Sequence, residues 1–387
     1  MRRFLINSSL VIVSLLFSLI IVEAVLKVYN PFEFRMRGDR IVLPQNFKYE
    51  ITNDRVGGIS DKIVHTKNAL GFRGPSPPSE PGRLPSIITI GGSTTESFYQ
   101  SDGRDWPALL ARQLAPTFPD LWLNNAGLDG HSTIGHLHLM RQFVVGLKPD
   151  VVLLLVGSNE VGIKDFKKDD ARLIPGVRFE TIAQFVRSLV GYSEVAALSL
   201  NLYRYWHTVR IGMAHGAGFI LPKDSKVVEV EYTSVSDSVR ERFLEHHQVY
   251  RDAFHQRLLH LIDITQGAKI LPVLITQPTL VGIGKDPATG VDLERIKLQT
   301  WRWGGEIDGQ AGWRVLESYN DVTRKLAKLA KVPLIDLSRQ MPKSTSYFYD
   351  FVHFTDEGAA EVARIIYQDL CPILSRKFEF AVENSCD

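Results

Sequence analysis

Residues 87–98 read IITIGGSTTESF, and this stretch decides how the rest of the chain is interpreted. Its first four residues are apolar or β-branched, which predicts a short buried strand. The strand ends at two glycines, where the backbone can turn sharply, and Ser93 follows directly. Ser93 either caps the next helix, with Glu96 completing a capping box, or is held on the turn as a nucleophile. The two roles are compatible, and we expect both.

Length and composition are those of an ordinary globular protein. The chain has 387 residues, of which 44% are hydrophobic and 23% charged, with a formal net charge of +2. This length accommodates one large domain with additions, or two domains. Basic and acidic residues are nearly balanced, and no concentrated basic face is visible. We therefore expect no nucleic-acid partner.

The first 29 residues differ from the rest of the chain. Arg2 and Arg3 precede a nearly unbroken apolar stretch at 10–28, which is long enough to span a bilayer as a helix. An uncleaved membrane anchor, a signal peptide cleaved near 22–24 and a buried core helix are the alternatives. The apolar stretch continues past the cleavage position, which favours the anchor. The positive-inside rule then places the remainder of the chain outside the cytoplasm, in the periplasm or the extracellular space.

Changes in composition divide the chain into four parts. A Pro-rich linker, GPSPPSEPGRLP, is the clearest boundary. The predicted parts are an anchor or signal sequence at 1–29, an extracytoplasmic lead-in segment with the linker at 30–84, a main domain at 85–375 with an insertion near 165–240, and a C-terminal tail at 376–387.

Short apolar runs alternate with helical patterns along the main domain. The predicted strands cover residues 87–90, 121–125, 151–156, 270–276 and 332–337, and the predicted helices cover 106–114, 134–147, 243–264, 315–330 and 356–370. Short, continuously apolar strands separated by helices predict a parallel sheet covered by helices on both faces.

The carboxyl ends of parallel strands share one edge of a sheet, where ligands bind in open α/β folds. After the first strand, N–H groups at the start of the next helix surround Ser93 and can bind an anion. After the second strand comes Asn124-Asn125-Ala126-Gly127, in which Gly127 can offer an unhindered N–H. An ordinary turn is the alternative for Gly127.

Two further segments at strand ends carry an amide and an imidazole. Asn159 can donate its side-chain amide to an oxygen that becomes negative during a reaction, or it forms a turn. Asp350 precedes His353 by three residues, so its carboxylate can fold back and orient the ring. A structural histidine is the alternative. Asp356 is a competing carboxylate, but it falls in the first turn of the last helix, where a negative charge suits the dipole.

Two other polar groups give weaker signals. His131, His136 and His138 lie near Asp129 and could suggest a metal site. His136 and His138, two apart on a helix, point to different faces, so no ligand set is complete and we predict no metal site. Cys371 and Cys386 are the only cysteines; they can pair in an oxidising compartment or stay unpaired.

In the order Ser, Gly, Asn, Asp-His, the four segments resemble the SGNH hydrolases, also called the GDSL-type esterase/lipase superfamily. The resemblance covers roughly residues 85–372. The first block reads Gly91-Gly92-Ser93 instead of Gly-Asp-Ser, which is similar to a membrane-anchored bacterial subgroup with a Gly-Gly-Ser-Thr-Thr-Glu loop. The Asn block ends in Glu160 where the family has Asp, and the Asp-x-x-His block is intact.

The resemblance implies a three-layer α/β/α sandwich with a flavodoxin-like, five-stranded parallel sheet. It also implies a serine esterase acting on O-acyl esters of glycans or lipids, with no metal or organic cofactor. Ser93, His353 and Asp350 would form the catalytic triad, and Ser93, Gly127 and Asn159 the oxyanion hole.

Two alternatives to the esterase stay open: an acyltransferase that modifies a cell-surface glycan, and a non-catalytic glycan-binding protein. The Asp-His pair follows the serine here, whereas it precedes the serine in alginate-acetylating relatives, and this order favours hydrolysis.

Overall fold

The structure is a computed structural model that describes residues 2–29, 36–37, 40–54, 56–78, 84–161, 192–199, 202, 230–300 and 305–378. Most of the predicted insertion and Cys386 lie outside the described residues; Cys371 is disulfide-bonded. The chain divides into two compact units, one over residues 1–43 and 176–215 and the other over 44–175 and 216–387.

The first unit contains a long apolar helix, α1 (Arg2–Val28). Its segment Ile6–Val28 has 23 residues and a mean hydropathy of 2.7, so it is long and apolar enough to cross a membrane. Two short strands follow and pair antiparallel, β1 (Met36–Arg37) and β2 (Arg40–Ile41).

The second unit begins with the part of the lead-in segment that follows residue 43. Its strands β3 (Phe47–Thr52) and β4 (Lys62–Lys67) form an antiparallel hairpin. Beyond the hairpin, Arg73 pairs with Asn125 by two backbone hydrogen bonds of 2.8 and 2.9 Å. The lead-in is thus joined to the strand that ends at Asn125.

A five-stranded parallel sheet lies at the centre of the second unit. Its strands are β5 (Ser86–Gly91), β6 (Trp122–Asn125), β7 (Val151–Leu155), β8 (Leu271–Ile275) and β11 (Leu334–Ile335). Two further strands, β9 (Leu298–Thr300) and β10 (Gly305–Ile307), form a separate antiparallel pair. The order across the sheet is β11–β8–β7–β5–β6, with every neighbour parallel. In chain order this is 2-1-3-4-5, read from β6, which is the flavodoxin-like arrangement.

Helices cover both faces of the sheet. Their bounds are α2 (Ser93–Glu96), α3 (Trp106–Leu114), α4 (Thr133–Leu139), a π-helical turn (Met140–Val144), α5 (Val145–Leu147), α6 (Asp237–His246), α7 (Gln248–Gly267), α8 (Gly309–Ala330), α9 (Leu337–Gln340) and α10 (Asp356–Lys377).

Alternation along the strands separates two apolar layers. Leu153 and Leu155 of β7 pack in one cluster with Trp106 of α3 and Ile366 of α10. Leu154 points to the opposite face, where α7 packs on β8, α4 and α8. The predicted α/β/α sandwich is confirmed.

The sequence pattern was wrong about one helix. The single helix expected at 243–264 is two helices, α6 and α7, that meet at His247. His247 has φ −81° and ψ −3°, and its N–H bonds the Leu244 carbonyl instead of continuing the α-helical pattern. Its buried ring packs against Phe243 and Tyr319, and such tertiary contacts leave no mark on apolar periodicity.

Candidate active site

The turn between β5 and α2 leaves little room for a side chain at either glycine. A Cβ at Gly91 would lie 2.1 Å from the Thr95 hydroxyl and 2.5 Å from the Leu155 carbonyl. A Cβ at Gly92 would lie 2.5 Å from Asn159 Nδ2. The two glycines therefore allow close packing of the turn, and the Asn159 amide lies beside Gly92.

The expectation that Ser93 caps the helix is wrong. Gly92 is the N-cap, no side chain caps the helix, and Ser93 is its first residue. The Ser93 hydroxyl is instead hydrogen-bonded to His353. Glu96 does not close a capping box either, because its carboxylate binds Lys67 and the N–H of Asp129.

A continuous chain of hydrogen bonds joins Ser93, His353 and Asp350. Ser93 Oγ lies 2.7 Å from His353 Nε2, and His353 Nδ1 lies 2.6 Å from Asp350 Oδ2. The second carboxylate oxygen accepts the N–H groups of Val352 at 2.9 Å and His353 at 2.8 Å. The Tyr349 ring stacks on the imidazole, with centroids 5.6 Å apart and planes 8° from parallel. The imidazole ring is therefore held at its edge by Asp350 and on one face by Tyr349.

Charge at this site favours an ionised carboxylate beside a basic imidazole. Burial alone would lower the pKa of His353, but the charge and hydrogen bond of Asp350, together with the charge of Asp129, raise it above its usual value. Burial raises the pKa of Asp350, yet His353 and the two backbone N–H groups bring it below its usual value. Asp350 is thus an anion although it is only 6% exposed. Asp356, the competing carboxylate, binds Arg104 and not the imidazole.

Asn159 lies beside the nucleophile turn, with its amide nitrogen next to Gly92. It sits in a single 3₁₀ turn, Ser158–Glu160, that follows Gly157, whose φ of +131° strongly favours glycine. Its Nδ2 donates one hydrogen to the His131 carbonyl at 2.9 Å. An amide nitrogen carries two hydrogens, so the second is available beside Gly92.

Gly127 and Gly130 differ in what their N–H groups do. The Gly127 N–H donates to Asn125 Oδ1 at 2.9 Å, and a Cβ there would lie 2.3 Å from the Glu96 nitrogen. Gly130 has φ +73°, and no atom lies within 4 Å of the position of a Cβ. Within the part of the chain that the structure describes, its N–H has no hydrogen-bond partner. The sequence prediction named Gly127 and did not consider Gly130, although an Asp-Gly pair signals a turn with positive φ.

A small open cavity adjoins the serine and the imidazole. Its walls, apart from Ser93 and His353, are Thr94, Ser97, Tyr99, Gln100, Tyr349 and Phe354. Among the described residues, no group of three or more His, Cys, Asp or Glu side chains is arranged to hold a metal ion. His136 is fully buried, and burial lowers its pKa to about 3, so it is neutral.

Comparison with known proteins identifies the family. The family model of the GDSL-like Lipase/Acylhydrolase family matches residues 89–361. No curated protein sequence matches the chain.

Solved structures that the chain matches include Axe2, an acetylxylan esterase from Geobacillus stearothermophilus, at 15% identity and a TM-score of 0.40, covering 76% of this chain and 94% of that one. They also include a GDSL-like lipase from Bacteroides thetaiotaomicron, at 13% identity and a TM-score of 0.36, covering 73% of this chain and 86% of that one. The family match runs from the strand before Ser93 past His353 into α10, so the protein belongs to the GDSL-like lipase/acylhydrolase family and is an ester-bond hydrolase.

Proposed function

We propose that the protein is a serine esterase that removes short O-acyl groups, such as acetyl, from a glycan or lipid of the cell envelope. The observation that carries this proposal is the unbroken hydrogen-bond chain Ser93–His353–Asp350. The cramped cavity beside Ser93, walled by aromatic side chains such as Tyr99 and Phe354, supports a short acyl group.

In the proposed reaction, His353 Nε2 takes the proton of Ser93 Oγ while Oγ attacks the ester carbonyl carbon. The tetrahedral intermediate collapses, its bond to the alcohol oxygen breaks, and His353 gives its proton to that alcohol. Water then attacks the acyl-enzyme with His353 again as the base, which releases the acid and restores Ser93. Asp350 holds the imidazole tautomer and stabilises the imidazolium that forms twice per turnover.

We propose that the oxyanion is stabilised by the Ser93 N–H, by the second hydrogen of Asn159 Nδ2 and by a glycine N–H. The sequence pointed to Gly127 for the third donor. Because the Gly127 N–H is donated to Asn125, whereas the Gly130 N–H is unpartnered among the described residues, the geometry favours Gly130. Removing one donor of this kind typically costs about 3 kcal/mol of transition-state stabilisation.

We propose that α1 is retained as a single-pass membrane anchor, with the catalytic unit outside the cytoplasm. Ser193 Oγ donates to the Glu23 carboxylate at 2.8 Å, and the N–H groups of Glu194 and Val195 donate to it at 3.1 Å. A cleaved signal sequence would break these contacts, which supports retention. Arg2 and Arg3 on the short N-terminal side support the orientation.

Intact-mass analysis of the protein purified from the membrane fraction tests the anchor. We expect a chain that retains Glu23 and the whole of α1. A mature protein that begins near residue 25 would show that the segment is a signal sequence.

Replacement of the nucleophile tests the esterase. We expect Ser93→Ala to lower the turnover of p-nitrophenyl acetate by at least about 10³-fold, because no other group replaces the attacking oxygen. Ser236→Ala, which removes an exposed hydroxyl hydrogen-bonded to Ser238, serves as the control and keeps full activity. Equal turnover by wild type and Ser93→Ala would contradict the proposal, and an inactive but folded wild type would favour the acyltransferase or the glycan-binding protein.

The pH dependence tests the role of Asp350. His353 accepts a proton only when neutral, so activity is full above its pKa and is lost as the pH falls through it. Because Asp350 raises that pKa, the midpoint of the wild type lies above the pKa of an ordinary histidine. Asp350→Asn removes the charge, so we expect a midpoint at lower pH and a loss of about 10⁴-fold in kcat.

Asp356→Asn is the matched control for this measurement. It neutralises a carboxylate three residues after His353 that binds Arg104 and Ser60 instead. We expect its midpoint to match the wild type. An unchanged midpoint in Asp350→Asn, or equal shifts in both variants, would refute the assignment.

A further inference from the structure

Two buried glutamates flank the loop 129–133, which carries Gly130, and each has its own buried cation. We propose that Glu96 and Glu160 are positioning residues that fasten the two ends of this loop to the nucleophile helix and to the Asn159 turn. The inference rests on the proposed function, because the loop carries the proposed oxyanion donor Gly130.

The first fastening starts from α2. Glu96 is the last residue of this helix, and its Oε1 lies 2.7 Å from Lys67 Nζ, with side-chain exposures of 6% and 2%. The other oxygen accepts the N–H of Asp129, at the start of the loop. Since Ser93 and Glu96 share one helical turn, the beginning of the loop is held relative to the nucleophile.

The second fastening starts from the 3₁₀ turn. Glu160 directly follows Asn159, and its Oε1 accepts the N–H of Thr133, at the end of the loop. Its Oε2 is paired with Arg257, and both side chains are no more than 2% exposed. Arg257 Nε also donates to Thr133 Oγ1 at 2.7 Å. The end of the loop is therefore held relative to the Asn159 amide.

Between the two fastenings, the loop meets the site at two points. Gly130 carries the proposed third oxyanion donor, and the His131 carbonyl accepts Asn159 Nδ2 at 2.9 Å. Ser93, Asn159 and Gly130 come from three separate segments, so their mutual distances depend on bonds between those segments. A displacement of about 1 Å in such an arrangement can cost about 10²-fold in rate.

The requirement is for a carboxylate and not merely for bulk. Each glutamate accepts from a cation with one oxygen and from a backbone N–H with the other. In a glutamine of the same shape, one of these two atoms becomes an NH₂ donor that faces another donor. Glu96→Gln and Glu160→Gln therefore each lose one of the two hydrogen bonds that the carboxylate accepts, while the volume of the side chain hardly changes.

The lead-in segment takes part in this arrangement. Lys67 and Arg73 both precede the span matched by the family model. Arg73 donates to the carbonyls of Glu96 at 2.8 Å and Ser97 at 2.7 Å, which are buried backbone acceptors at the C-terminal end of α2 that have no α-helical donor. Part of the hydrogen bonding that holds α2 in place thus comes from residues that precede the span 89–361 matched by the family model.

The test compares the full chain with Glu96→Gln, Glu160→Gln and the double variant. For each single variant we expect kcat with p-nitrophenyl acetate to fall about 10- to 10²-fold with KM unchanged. For Glu160→Gln we also expect an unchanged pH midpoint, since His353 and the two carboxylates that raise its pKa, Asp350 and Asp129, keep their partners. Because both glutamates hold one loop, we expect the double variant to lose less than the product of the two single losses.

Asp308→Asn is the matched control. Asp308 is a fully buried carboxylate paired with Arg240 at 2.6 Å, and it accepts the N–H of Ala311 without touching the loop. We expect it to lower stability as the glutamate variants do, while the folded protein keeps its kcat. An equal loss of kcat in Asp308→Asn, or wild-type kcat in both glutamate variants, would overturn the proposal.

Hydrogen exchange of the loop separates this inference from the proposed esterase activity. We expect the amides of Asp129 and Thr133 to be protected in the wild type, and to exchange at least about tenfold faster in Glu96→Gln and Glu160→Gln respectively. If the wild type hydrolyses no ester, the proposed function fails and exchange alone decides whether the fastenings exist. Unchanged exchange in both variants would refute them.

Discussion

The hydrogen bond between Ser93 Oγ and His353 Nε2 joins two side chains that are 260 residues apart. No local pattern sets that distance. It depends on the parallel sheet, which brings the end of β5 to the edge that the loop before α10 also reaches. The loop is held there by its own backbone: the Tyr349 N–H bonds the His353 carbonyl at 3.0 Å, and the Thr355 N–H bonds the Tyr347 carbonyl at 3.0 Å. The position of the imidazole is therefore a property of the whole sheet and of one rigid loop.

Buried charge is the second constraint on this site. A buried ion pair gains little stability over an apolar pair, but loss of one partner leaves a charge that costs about 3–5 kcal/mol. The charged groups around the nucleophile, Lys67–Glu96 and Arg257–Glu160, thus allow few alternative arrangements of the backbone that they bind. The lead-in hairpin, which supplies Lys67, is for this reason part of the structure that supports the active site.

Much of this architecture was accessible from the sequence. The five strands are all present, helix 106–114 has the predicted bounds, and the Asp350–His353 pair folds back within one turn, because each of these depends on apolar runs or short spacings. What escaped prediction depends on contacts distant in sequence. The break at His247 follows from tertiary packing. The Ser93 hydroxyl is hydrogen-bonded to His353, so it does not cap the helix.

The most direct measurement is a crystal structure of the protein after reaction with a fluorophosphonate. The account predicts phosphorus bonded to Ser93 Oγ, with one phosphoryl oxygen about 3 Å from the Ser93 nitrogen, Asn159 Nδ2 and the Gly130 nitrogen. Phosphorus on another residue, or an oxygen directed away from the Asn159 amide, would contradict it.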